Sequence, residues 1–251
     1  MTSIYNNYSF NSSIRIPSLG FKKAASSYSI SHALPKDGYI SNPLYDKLGT
    51  KFEIEAAAKN NQRVQEIMHK YDLPININEK EFEKLKSGHL QDTRIIAAKI
   101  YSNLPSELKN DLNLQEIQEA AMFHDYGKVL IPENIINKKG ELNEREWEIM
   151  RQHSELGAEL LKGKNVSPRV SELVKYHHYT RNGDGYPVIS NGYEFALDSE
   201  ILSVADKYQA LVEKRSYKNS LTKDEALAEI KKDVDNGLVS IEVFDALKKS
   251  V

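Results

Sequence analysis

His124 and Asp125 stand side by side in Phe123-His124-Asp125-Tyr126-Gly127-Lys128, and three places downstream carry matching chemistry: His153, the pair His177-His178, and Asp206. The chain has seven histidines, and four of them fall in these places; the others are His32, His69 and His89. Neutral imidazole and carboxylate are ligands for Fe, Mn, Zn or Ni, and with no cysteine there is no thiolate to compete. Four His and two Asp are more than one ion can use while also holding water and substrate. They suit two ions bridged by a carboxylate, an arrangement that activates a water and clamps both the attacking and the leaving oxygen of a phosphoester. Lys128 follows Asp125 by three residues, so a helical path puts its cation on the same face, where it could meet a phosphate. Each residue alone reads more simply as a helix cap or a satisfied core group. Together, with helix-bearing sequence at every place, they read as a metal site.

The elements that must position these residues are helical. Ile54, Ala57, Ala58, Val64, Ile67 and Met68 recur near a 3.6 period and predict a helix from Phe52 to about Tyr71, stopped by Pro74. A second is expected from Glu79 to about Leu104, with Gly88 as a break and Ile96, Ala97 and Ile100 as its buried stripe. Gln115 to His124 follows and delivers the His-Asp pair from its last turn. Asn143 with Glu146 reads as a capping box opening the helix that presents His153, and Ser167-Pro168 opens the one that ends at His177-His178. Residues 179 to 197 form a non-helical insert, in which Asn182-Gly183-Asp184-Gly185 is a loop or tight turn. Glu200 to Val212 carries Asp206 beside an apolar stripe, a costly place for a carboxylate without a partner. Thr222 with Glu225 caps a terminal helix, and Ile241 to Leu247 makes a short last one. No stretch reads as a strand. The expected fold class is all-α, about eight helices.

Composition bounds the rest. The 251 residues, 40% of them hydrophobic, suffice for one or two domains. A net charge of -2 gives no broad basic field, so long nucleic acid is not an expected partner, whereas a small anion held by local cations is. Cysteine is absent and no apolar run is long enough for membrane insertion, which leads us to expect a cytoplasmic protein. Residues 1–50 are rich in Asn, Ser and Tyr and lack a period; they are expected to form a flexible or irregular segment ahead of a helical domain over 51–251.

In order along the chain, several blocks resemble the HD-GYP phosphodiesterases, a branch of the HD-domain metal-dependent phosphohydrolases. His124-Asp125-Tyr126-Gly127-Lys128 looks like that family's HD-x-G-K. Ile131-Pro132 with Asn137 to Leu142, and Glu146 to His153, are similar to its linker and next metal helix. His177-His178 and Gly183-Asp184-Gly185-Tyr186-Pro187 resemble the HH and GYP blocks. Val204-Ala205-Asp206 resembles its last ligand, and Arg215-Ser216-Tyr217-Lys218 its phosphate-binding end. The resemblance runs from about Asp92 to about Ala228. Tyr179 and Asn182 stand where the family usually has Glu and Asp.

The resemblance implies an HD-domain helical bundle with a GYP loop, holding two divalent ions, Fe or Mn. Asp125 would bridge them, His124 and Asp206 would hold the first, and His153, His177 and His178 the second. It implies a phosphodiesterase that linearises a cyclic dinucleotide, cyclic di-GMP first, by a hydroxide held between the ions. Lys128, Arg215 and Lys218 would meet phosphate, and the loop residues Gly185, Tyr186 and Pro187 would close over substrate. The family also has a His on the helix before HD, and some members add a Glu one turn earlier for a third ion. No His here falls in that register; Asp92 does, and His89 lies three residues before it, so either or both are candidate ligands. The alternative class is a signalling module that binds metals and ligand with little turnover and acts through a protein partner; changed Tyr179 and Asn182 speak for it.

Overall fold

A computed structural model describes residues 47–85, 89–189, 192–213 and 220–251, with the His89 side chain excepted. The expectation for residues 1–50 therefore falls almost wholly outside the described residues, as do Arg215 and Lys218.

Eleven α-helices, two 3₁₀ turns and one pair of very short strands make up the described residues. The helices are α1 (Lys51–Asn60), α2 (Gln62–Lys70), α3 (Glu79–Leu85), α4 (His89–Asn103), α5 (Leu114–Phe123), α6 (Glu133–Ile136), α7 (Glu144–Leu160), α8 (Pro168–Tyr176), α9 (Leu197–Val212), α10 (Lys223–Asp235) and α11 (Ile241–Ser250). The expected helix over 52–71 is two helices. Asn61 leaves the helical region and uses its side chain to cap Val64 N–H, while its amide reaches Glu159 on α7. A short polar residue that can cap the next helix is a natural place for the chain to turn. The capping boxes read at Asn143 and Thr222 are both present, as is the Ser167 cap with Pro168 at the first helical position.

The 179–197 insert departs from the all-loop expectation. β1 (His178–Tyr179) and β2 (Gly185–Tyr186) pair antiparallel, with His178 opposite Tyr186 and Tyr179 opposite Gly185. Two residues per strand are too few to leave an alternating pattern in the sequence. The turn between them is held by Asn182, whose carbonyl accepts from Asp184 N–H and Thr180 Oγ1 and whose amide donates to Asp184 Oδ2.

Packing centres on α5. Ile117, Ala120, Ala121, Met122 and Phe123 are wholly buried, and α4, α8 and α9 all pack against this helix. The 3₁₀ turn Tyr126–Leu130 that follows is anchored at both ends. Tyr126, itself buried, donates to Leu48 O at 2.5 Å, and Asn78 ties the turn's exit by donating from its backbone to Val129 O and from its side chain to Ile131 O. At the other side of the bundle Arg169 forms a fork with Asp198 (2.8 and 2.6 Å), and Tyr193 stacks on Tyr176 at 4.1 Å. These contacts fix where α9, the carrier of Asp206, leaves the insert.

Candidate metal centre

Five elements deliver the candidate ligands. His124 is the residue on which α5 ends, and Asp125 follows with φ -94° and ψ 6°, a conformation that takes the chain out of the helix into the 3₁₀ turn. His153 lies inside α7, His177 at the end of α8, His178 in β1, and Asp206 inside α9. What lets α7 approach the His-Asp turn is glycine. A Cβ on Gly127 would lie 2.0 Å from His153 O and 2.4 Å from Gly157 N, and one on Gly157 would lie 3.1 Å from Gly127 N. Only two bare backbones can meet there.

Three of the four imidazoles are fixed in the same way. His124 Nδ1 faces Ala121 O at 2.8 Å, His153 Nδ1 faces Met150 O at 2.7 Å, and His177 Nδ1 faces Val174 O at 2.8 Å. A carbonyl accepts only, so each Nδ1 carries a proton and each Nε2 points inward, with a free lone pair on His153 and His177. The Nε2 atoms of His153 and His177 converge to 3.3 Å, and a ligand atom of His178 completes a group within 4.8 Å. Asp125 stands between this trio and the other ligands. Its Oδ1 lies 3.6 Å from His153 Nε2, and its Oδ2 lies 3.4 Å from His124 Nε2, which is also 3.4 Å from Asp206 Oδ1. Lys128 Nζ is 2.7 Å from Asp125 Oδ2.

Lone pairs that converge without a proton between them repel unless a cation sits among them. His124 Nε2 is buried without a hydrogen-bond partner among the described residues. Burial alone would lower its proton affinity, but the facing Asp125 and Asp206 outweigh that and raise its pKa to about 10. That pull on a proton is equally a pull on a metal cation. His153 and His177 go the other way. Burial, reinforced by the Lys128 charge for His153 and by His124 for His177, lowers them to about 3 and about 4. His178 is likewise pushed down by burial and its His neighbours. Both carboxylates stay ionised despite burial. Lys128 and His124 hold Asp125 well below the ordinary range, and His124 does the same for Asp206. Three neutral imidazoles and two carboxylates are the forms that bind divalent transition ions, so the donor set fits.

At the rim, Tyr186 stacks on His178 with ring centres 4.6 Å apart, and the Arg151 guanidinium lies 5.5 Å from the centre of the Tyr186 ring. A cavity of about 280 Å³ opens there, lined by Arg151, Gln152, Tyr186 and Pro187 among others. A larger one, about 680 Å³ beside Pro74, Ile77 and Ile131, contains none of the ligands. Gly185 has φ +100° and backs directly onto His178 O, so the loop is held close to the second ligand group.

Asp92 is not brought to the site. The buried stripe of α4 is Leu90, Thr93, Ile96, Ala97 and Ile100, which leaves Asp92 on the exposed side. Asp92 lies one residue, about 100° around the helix, from the buried Thr93. The His89 side chain lies outside the described residues. What the sequence reading passed over is Thr93, fully buried with an unpartnered hydroxyl. A Thr in an apolar stripe passes for an ordinary β-branched core residue, so no signal marked it.

Comparison with known proteins agrees with this geometry. The family model described as HD domain matches residues 56–239. A cyclic di-GMP phosphodiesterase of Thermotoga maritima is 38% identical over 56% of this chain and 38% of its own length. The cyclic di-GMP phosphodiesterase response regulator RpfG of Xanthomonas campestris pv. campestris is 40% identical over 45% of this chain and 30% of its own. A 3'3'-cGAMP-specific phosphodiesterase 2 of Vibrio cholerae is 36% identical over 45% and 22%. The chain thus aligns with between about a fifth and two fifths of these relatives. The HD domain of the Listeria monocytogenes phosphodiesterase PgpH, solved with cyclic-di-AMP, superposes with a TM-score of 0.48 at 19% identity over 64% of this chain and 85% of that one. Among the described residues no helix is long and apolar enough to cross a membrane. Since the matched stretch takes in every candidate ligand and most of the helices that hold them, this chain belongs to the HD domain family.

Proposed function

We propose that this chain is a metal-dependent phosphodiesterase that opens a cyclic dinucleotide, with cyclic di-GMP as its substrate. One observation carries the reading: the two oxygens of Asp125 face two different donor groups, His124 with Asp206 on one side and His153 on the other. His124, Asp206 and Asp125 would hold one divalent ion, and His153, His177, His178 and Asp125 a second, with Fe or Mn suited to such N/O ligands. Bound ions would supply Lewis acidity and an activated water at neutral pH.

The protein's own part is positioning and charge. Lys128, already beside Asp125, is placed to neutralise charge developing on the phosphoryl oxygens. The Tyr186 ring, stacked on a ligand and half-buried, forms a wall where a nucleobase can lie flat, with Gly185 and Pro187 setting its height. Arg215 and Lys218 would grip a phosphate, the first as a fork and the second as a point charge. Relatives support the class: proteins named as cyclic di-GMP and as 3'3'-cGAMP-specific phosphodiesterases both match this chain at 36–40% identity. Asn182, which departs from the family pattern, is occupied in holding the turn, so its change leaves the ligand groups intact.

The test is an assay of purified protein loaded anaerobically with Mn²⁺ or Fe²⁺, following cyclic di-GMP to linear products by chromatography. Turnover that disappears in Asp125→Ala supports the reading. Tight binding of the dinucleotide with no turnover under either metal would replace it with the binding-module class.

A further inference from the structure

Two buried side-chain atoms among the described residues lack a hydrogen-bond partner, His124 Nε2 and Thr93 Oγ1. The first belongs to the centre described above. The second has no such account. Thr93 is 0% exposed, and a helical threonine commonly relieves its hydroxyl on the carbonyl four residues back, which Thr93 does not do. A hydroxyl sealed in an apolar core without a partner is unfavourable, so its surroundings should offer one.

Its place in the fold points to the centre. α4 and α5 pack together, the chain turning back on itself through residues 104–113. Thr93 lies ten residues before Asn103, the end of α4, and His124 lies ten residues after Leu114, the start of α5. With the same rise per residue in both helices the two come to one level. α4 also packs against α9, the helix that carries Asp206. The two donor groups are meanwhile unequal. His153, His177 and His178 form a compact trio with Asp125 Oδ1 beside it, whereas the other group has one imidazole and two carboxylate oxygens.

We infer that Thr93 is the missing oxygen donor of the poorer half, its hydroxyl serving the ion held by His124 and Asp206, and that the centre therefore loads in two steps, the histidine trio first. A neutral hydroxyl is a weak ligand beside an imidazole, so this half holds its ion less firmly and sets the metal concentration at which the centre becomes complete. The inference rests on the two-ion reading above.

The experiment titrates the metal-free full chain with Mn²⁺ by calorimetry and with Co²⁺ by visible absorption. Wild type should show two binding events at least tenfold apart. Thr93→Val should weaken the second about tenfold or more and leave the first alone, and Thr93→Ser should restore it. The metal-free Thr93→Val protein should melt no lower than wild type, because the lost hydroxyl had no partner in the fold; a lower melting temperature with both events intact would make Thr93 merely structural and overturn the inference. If Thr93→Val does not fold, Thr93→Ala and Thr93→Ser carry the comparison, with Ala expected to lose the second event and Ser to keep it. Two equal events in wild type, or a second event lost in His89→Ala but kept in Thr93→Val, would also overturn it. Failure of the two-ion reading looks different: wild type then binds at most one ion.

Discussion

The Nε2 atoms of His153 and His177 lie 3.3 Å apart, each on a ring whose other nitrogen is turned to a backbone carbonyl. Neither ring can donate to the other, so the fold holds two lone pairs against each other and binds a cation by relieving that repulsion. Metal addition should therefore raise the melting temperature of the chelated protein, by about 2.7 kcal/mol of stability at one hundred times the dissociation constant. His153→Ala and His177→Ala should each lose most of that gain. Scanning fluorimetry with and without Mn²⁺ decides it; equal gains in both variants would remove these residues from the site.

Asp125 touches both donor groups, so its loss should cost more than any single histidine. Elemental analysis of Asp125→Ala after anaerobic Fe²⁺ or Mn²⁺ loading should find less than one ion per chain, against two in wild type. A variant retaining two ions would show that Asp125 is not the bridge.

Gly127 contributes no chemistry, yet its substitution should abolish the site. A Cβ there would stand 2.0 Å from the carbonyl of His153 itself, so α7 must move off the His-Asp turn. Gly127→Ala is expected to destabilise by about 1–3 kcal/mol or more through overpacking and to lower metal content. Gly140→Ala, with open space around the new Cβ, is the control. A Gly127→Ala protein that melts and binds metal like wild type would disprove the close-approach account.

This glycine pair also marks how far the sequence could be read. Helix starts were legible because caps act locally: Asn143, Ser167 and Thr222 each hold an amide within three residues. The convergence of these side chains was legible because His and Asp in apolar helical sequence need a reason to be there. The approach of Gly127 to Gly157 is set by two distant segments and leaves no local trace, and the same holds for the pairing of His178 with Tyr186. Asp92 was expected inward because Ile96 and Ala97 follow it, yet the same buried stripe is met equally well one residue on, at Thr93, and a spacing pattern alone does not choose between neighbouring positions.

Arg215 and Lys218 are expected to grip phosphate without touching metal. Replacing either with Ala should weaken cyclic di-GMP binding roughly ten- to a hundredfold, the equivalent of about 1.5–3 kcal/mol for one charge-assisted contact. Metal content should not change. Tyr186→Ala should weaken binding as well, whereas Tyr186→Phe, which keeps the ring stacked on His178, should not. Calorimetric titration on metal-loaded protein measures all four, and unchanged dissociation constants for Arg215→Ala and Lys218→Ala would return both residues to ordinary surface cations.

The histidines give the metal-free protein a dome-shaped pH dependence. His153 and His177 titrate near 3 and 4 in the folded chain, against 6.5 for the ordinary side chain. Between pH 6.5 and 4 the unfolded chain therefore takes up protons that the folded chain refuses, and stability falls as pH falls. At about 1.4 kcal/mol per pH unit, each costs on the order of 3 kcal/mol by pH 4. His124 acts in the opposite sense. Its pKa is raised to about 10, so its contribution is complete below pH 6.5 and is lost as pH rises from there through 10. At pH 7.5 the metal-free site thus holds a proton on His124 that an arriving cation must expel. Denaturant unfolding in the presence of chelator should give a maximum near pH 6.5 with losses on both sides. Calorimetry in buffers of different ionisation enthalpy should record about one proton released as the ion at His124 binds, and none in His124→Gln. Metal binding without proton release at pH 7.5, or a flat stability profile from pH 4 to 9, would contradict the charge arrangement derived for this centre.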